Sequence, residues 1–135
     1  MKTPSEIVQL MLDDDRFSRW LGIETIELSK GHCTLKMTVS STMLNGFSIA
    51  HGGITYSLAD SALAFASNSY GNHAVSIDTS INHLQKVYDG DTLYATCSEI
   101  NRSRRIGLYH VNIVNQHKTL VAQFKGTVAI SEKVW

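Results

Sequence analysis

The chain has 135 residues, 43% of them hydrophobic, with 12 basic residues balanced by 12 acidic ones. That length supports one core, so residues 1–135 are expected to form a single domain; the balanced charge excludes nucleic-acid backbone and anionic membrane surfaces as bulk partners. No apolar run reaches the roughly 18 residues of a membrane span, and the first residues lack a basic-then-apolar signal pattern, so a cytoplasmic location is expected.

Thr3-Pro4-Ser5-Glu6 reads as a helix N-cap, a proline at the first helical position and a capping-box glutamate, with Ile7, Leu10 and Met11 as the apolar stripe of one short helix ending before Leu21-Gly22. A β-hairpin follows, from Ile23 to Ser29 and, after a Lys30-Gly31 turn, through the alternating Cys33, Leu35, Met37 and Val39; one face of it is expected to be buried. Cys33 and Cys97 have no partner motif and read as two buried free thiols. From Gly52 to Tyr70 the pattern becomes a long helix, apolar or small nearly all round, whose only formal charge is Asp60. Gly71-Asn72 stops it, and strands are expected over 74–84, 92–100, 106–115 and 120–130, with turns at 89–91 and 115–118 and a basic turn over 101–105. Short turns favour antiparallel pairing, and one buried helix needs one sheet to cover it: an α+β layout with a curved sheet around a central helix.

The chemistry concentrates where the Asn45 to Gly53 loop opens that helix. Backbone N–H groups of a first helical turn lack intrahelical acceptors and carry partial positive charge, which suits them to polarise a carbonyl. Gly52 and Gly53 would let a substrate approach the backbone, although a glycine-rich turn that merely starts a helix is the plain alternative. Asp60 has no cation among its helical neighbours Tyr56, Ser57, Leu63 and Ala64; it is a candidate general base or nucleophile, or else pairs with a distant group. Gly52 and Asp60 lie eight residues apart, about 12 Å along a helix axis, so one chain cannot bring both to the same carbonyl. If both act, Gly52 of one subunit meets Asp60 of another, which requires antiparallel helices across a two-fold interface.

Asn45 and His51 either orient a water or hold the loop, and Ser76 is a candidate contact for the water or carboxylate. Arg102, Arg104 and Arg105 form the strongest local positive charge, either a solvated turn or a phosphate clamp. The histidines are dispersed, and neither GxxxxGK(S/T) nor GxSxG occurs, so no metal set, P-loop or nucleophile elbow is legible.

The pattern N-x5-HGG-x6-D, from Asn45 through His51-Gly52-Gly53 to Asp60, together with Asn115-Gln116 and the closing 122–126 stretch, resembles the phenylacetate-pathway (PaaI-type) group of hotdog-fold acyl-CoA thioesterases in the 4-hydroxybenzoyl-CoA thioesterase superfamily. The resemblance implies a long helix wrapped by an antiparallel sheet, homodimers with sites between subunits, and often a homotetramer. It implies that Asp60 is the catalytic carboxylate, that the Gly52 N–H polarises the thioester carbonyl, that Asn45, His51 and Ser76 assist, and that Gly53 and the three arginines meet coenzyme A. Coenzyme A is then part of the substrate, and no separate cofactor or metal is expected.

The acyl group is expected to be aryl or arylacetyl, with Phe47, Tyr56, Phe65 and Tyr70 as possible pocket aromatics. Two other readings remain: a hydratase or dehydratase acting on enoyl-CoA, and a non-catalytic acyl-CoA-binding module. The Asp78 to His83 spacing superficially suits the former, but alternation puts those residues on opposite faces.

Overall fold

The computed structural model describes residues 1–135. Helix α1 (Pro4–Asp14) begins as its sequence dictates: the Thr3 hydroxyl accepts from the Glu6 N–H, and the Glu6 carboxylate accepts from the Thr3 N–H. It does not run on to Leu21. Asp15 ends α1 and caps a second helix, α2 (Arg16–Leu21), because its carboxylate accepts from the Ser18 N–H and so offers the backbone a fresh start. Ile7 and Val8 are the buried positions of α1, while Leu10 is exposed. Gly22, at φ 73°, closes α2 in the left-handed conformation.

The six strands are β1 (Glu24–Ser29), β2 (His32–Thr38), β3 (Asn72–His83), β4 (Thr92–Arg102), β5 (Ile106–Val114) and β6 (Leu120–Val134). They form one antiparallel sheet in the order β1-β2-β4-β5-β6-β3. The expected α+β plan is therefore present, with differences at the edges. In the hairpin β2 alternates buried and half-buried residues, but β1 is exposed except at Leu28, which packs against the core, and a register shift between Thr25 and Glu27 leaves Ile26 exposed. Strand β4 continues through Arg102, so the basic turn contains only Ser103 to Arg105. A short 3-10 helix at Ser41–Met43, not foreseen from the sequence, leads into the loop.

The long helix α3 (Gly52–Asn68) lies in the concave face of the sheet, with Leu58, Ala59, Ala62, Leu63, Phe65 and Ala66 buried. Its end is locked by Asn68, which is 2% exposed; the side chain donates to Ala64 O and Ala74 O and accepts from the Ala74 N–H and the Trp135 indole. Cys33 and Cys97 face each other across β2 and β4 as buried free thiols, and burial pushes the Cys33 thiol up to about 12.

Gly126 marks where β6 crosses α3 most closely, since a Cβ there would stand 2.5 Å from Leu63 Cδ2. Gly126→Val is expected to lower stability by roughly 1–3 kcal/mol through overpacking. A denaturant midpoint equal to that of the parent chain would refute this.

Strand β3 is an uncovered sheet edge. Along it Val75 and Ile77 are 68% and 60% exposed. A twelve-residue edge carrying apolar side chains is a template for pairing with another chain.

Candidate active site

The loop before α3 is tied down by its own polar side chains. Asn45 Oδ1 accepts from the Phe47 N–H at 2.9 Å and the Ile49 N–H at 3.4 Å, and the Ala50 N–H donates to Val87 O. His51 is the N-cap of α3: its N–H donates to Met43 O, and its Nδ1 accepts from the Gly53 N–H at 2.8 Å. Of the two roles open to Asn45 and His51, their protein contacts serve to hold the loop.

The fate of the first helical N–H groups follows from this cap. Gly53 donates to His51 and Ile54 donates to His51 O, whereas the Gly52 N–H has no acceptor in the chain. Gly52 is therefore the open donor at the positive end of a 17-residue helix. The Gly53 N–H is occupied by the cap, so a contact of Gly53 with coenzyme A would use its other atoms.

The two glycines also do something the sequence did not suggest. A Cβ on Gly52 would lie 3.1 Å from His83 Nε2, and one on Gly53 would lie 3.0 Å from His51 Nδ1. The missing side chains make room for the protein's own imidazoles. His83, at the end of β3, has Nδ1 3.2 Å from the Thr55 hydroxyl and opens onto a cavity of about 590 Å³ shared with Asn45, Gly52, Thr55, Lys86 and Tyr88. In the sequence, His83 stands out only for its spacing from Asp78. Both Thr79 and His83 reach α3, so Asp78, of the other strand parity, faces away, as alternation requires.

Asp60 is at a different place. It is half-buried and lines a smaller cavity of about 210 Å³ with Leu63, Ser67, Ala74 and Ser76. Its carboxylate has neither a hydrogen-bond donor nor a cation in the chain. Burial raises its pKa above the ordinary carboxylate range, and the nearby Asp15 charge adds to the effect. The sequence-predicted residues thus fall into two groups along α3: Asn45, His51 and Gly52 at or before its start, and Asp60 at its middle with Ser76 of β3 beside it.

Arg102, Arg104 and Arg105 converge on a third cavity of about 520 Å³ with Asn72 and Ser131. Arg104 pairs with Glu132 at 2.9 Å. Arg102 lies over the Tyr70 ring at 4.0 Å, and its Nε is buried without an acceptor.

The aromatics expected to line an acyl pocket do not come together. Phe65 is core, Tyr56 packs edge-on against Phe124, Tyr70 donates to Glu99, and Phe47 projects from the loop into solvent. A helix buried among strands draws its large side chains into the core, which separates them.

Residues 47–122 match the family model described as the thioesterase superfamily. The acyl-coenzyme A thioesterase PaaI of Escherichia coli is 40% identical over 116 residues, covering 86% of this chain and 83% of that protein. The structure of the E. coli PaaI protein from the phenylacetic acid degradation operon superposes with a TM-score of 0.95 at 36% identity, over 97% of this chain and 95% of that one. A Streptococcus mutans protein whose structure was solved bound to acetyl CoA superposes with a TM-score of 0.81 at 30% identity, over 84% and 91% of the two chains.

Proposed function

The chain belongs to the thioesterase superfamily, and from that premise we propose that it hydrolyses acyl-CoA thioesters to a carboxylate and free coenzyme A, acting as one domain over residues 1–135. The observation that carries the reading is the open Gly52 N–H at the head of α3 together with an unpartnered, desolvated carboxylate on the same helix. A thioester carbonyl oxygen held by the Gly52 N–H gains a preorganised donor for the negative charge that develops on it, an effect of about 2.7–4 kcal/mol in comparable sites. Asp60 supplies the other half of the reaction, attacking the carbonyl carbon or activating water. Ser76 borders its cavity, where it would contact the water or carboxylate.

These halves are joined by a dimer. Tyr56 lies four residues from both Gly52 and Asp60, and its hydroxyl is 2.6 Å from Thr79 Oγ on the uncovered strand β3. A two-fold axis near this contact lays α3 antiparallel to its copy and sets Gly52 of one subunit beside the partner subunit's Asp60. It also pairs the β3 edges and covers Val75 and Ile77. The same operation turns the Asn72 end of β3, with its arginine cavity, toward the partner's Gly52 cavity, where Arg102, Arg104 and Arg105 would meet coenzyme A phosphates. Pairing of dimers into a tetramer is compatible with this arrangement. No helix is long and apolar enough to cross a membrane, and a cytoplasmic acyl-CoA pool is the setting that fits such a substrate.

The acyl group is proposed to be aryl or arylacetyl, from the likeness to the E. coli protein of the phenylacetic acid operon. Thiol release from phenylacetyl-, hydroxyphenylacetyl-, benzoyl- and medium-chain acyl-CoA tests both levels of the reading. Preference for an aromatic ester is the expected result; a higher kcat/KM for medium-chain esters overturns the acyl assignment, and no thiol release from any ester overturns the activity. Hydration of crotonyl-CoA in the same panel would favour the hydratase reading, and tight ester binding without thiol release would favour the binding-module reading.

A further inference from the structure

His83 stands beside Gly52 at the head of α3, and its hydrogen bond to Thr55 engages Nδ1 and leaves Nε2 toward Gly52. The Thr55 hydroxyl donates to Gly52 O at 3.1 Å. A hydroxyl has a single hydrogen, so toward His83, at 3.2 Å, the same oxygen acts as acceptor and the ring hydrogen sits on Nδ1. In that tautomer the lone pair is on Nε2, and Nε2 is the ring atom nearest to where a Cβ on Gly52 would stand, at 3.1 Å. Gly52 O, Thr55 and His83 form one chain of hydrogen bonds that begins at the residue whose N–H is open. Lys86 and Tyr88 are the other titratable groups on this cavity, and no carboxylate borders it.

We propose that His83 is a catalytic base, taking through Nε2 the proton of the water that completes hydrolysis. The proposal rests on the thioesterase reading and gives Asp60 the role of nucleophile. In the first step the partner subunit's Asp60 carboxylate attacks the thioester carbon, a C–O bond forms, and the C–S bond breaks with its electron pair leaving on sulfur. A thiolate leaves without an acid, since the ordinary thiol pKa is only about 8.5. The acylated Asp60 can no longer act as a base, so the second step needs another group within reach of the carbonyl still held by Gly52. Water adds to that carbonyl as its proton passes to Nε2, the anhydride C–O bond breaks to return the Asp60 carboxylate, and His83 gives its proton to solvent, from which the coenzyme A thiolate takes one. The sum is thioester plus water giving acid plus thiol.

Rapid mixing of the full chain with the ester that it turns over fastest reads the two steps separately. His83→Phe keeps the ring volume and the β preference of the strand; its expected trace is a burst of about one thiol per site, followed by steady turnover slower by roughly 100-fold or more. Added imidazole is expected to accelerate the slow phase of His83→Ala. Turnover of His83→Phe within about two-fold of the parent, or loss of the burst from both variants while each retains native circular dichroism, overturns the proposal. Asp60→Asn run in parallel keeps the two readings apart: full activity in that variant defeats the placement of Asp60, whatever His83 does.

Discussion

Asp60→Asn is expected to lose roughly 10²–10⁴-fold in kcat while the protein becomes slightly more stable at neutral pH. Both effects follow from the same surroundings. The carboxylate is half-buried, has no donor and no cation, and feels the negative charge of Asp15. Such a group is poorly solvated and therefore reactive, but its ionised form opposes folding. With the folded pKa above the unfolded value, the native state binds the proton more tightly. Stability is then greater below the unfolded pKa and declines as pH rises through the folded one. Asn removes the charge at neutral pH, so its thermal midpoint should exceed that of the parent at pH 7 and converge with it in acid.

With Asp60 acting in its ionised form as proposed, its raised pKa is expected to place the acid limb of activity above the ordinary carboxylate range. A variant with unchanged kcat/KM removes Asp60 from the mechanism, and a variant that is inactive but less stable at pH 7 contradicts this account of its surroundings. A single turnover in heavy-oxygen water then reads which carbon the water enters. Label appearing in the Asp60 carboxylate identifies it as a nucleophile whose own carboxyl carbon is hydrolysed, whereas label confined to the product acid means water enters at the substrate carbonyl, and the thiol burst of His83→Phe then separates attack from water activation.

Those surroundings were partly legible in the sequence, because absence of a helical cation at i±3 and i±4 is a local property. The capping box at Thr3 and Glu6, the start of α3 at Gly52 and the alternation of β2 are local in the same sense, and each could be read from spacing alone. What could not be read depends on which segments meet. Asp15 looked like one more acidic residue of a continuous helix; it is a cap because its carboxylate turns back to Ser18. Ile26 fits a buried alternation until a register shift exposes it. Gly52 and Gly53 read as room for a ligand, yet the space beside them is filled by His83 and His51. His83 is 31 positions from Gly52 and belongs to the site only because β3 ends against the head of α3. The available signal was parity: Thr79, Ile81 and His83 share one face of a strand that must cover the helix. Phe65 and Tyr56 show the converse, since aromatics at helical spacing point into the core once a sheet wraps the helix.

Mixing two inactive variants is expected to restore activity. Gly52→Val places a branched side chain where His83 Nε2 would stand 3.1 Å from its Cβ, and so is expected to displace the proposed oxyanion donor, a loss of about 10²–10³-fold. Asp60→Asn lacks the carboxylate. On a single chain the two positions are about 12 Å apart along α3, and a thioester carbonyl cannot span that gap. In the proposed dimer across β3, each site would take Gly52 from one subunit and the partner subunit's Asp60. A mixed dimer of the two variants therefore contains one site with both groups intact and one with both altered. After unfolding and refolding together in equal amounts, about half of the dimers are mixed, and about a quarter of the parental active sites return. Two variants of the same half-site, such as Asp60→Asn mixed with Asp60→Ala, should recover nothing under identical treatment. Recovery absent from the first mixture, with dimers confirmed by sedimentation, rules out a shared site and requires each half-site to work alone. Recovery near a quarter has no source within one chain, because neither variant contains both groups.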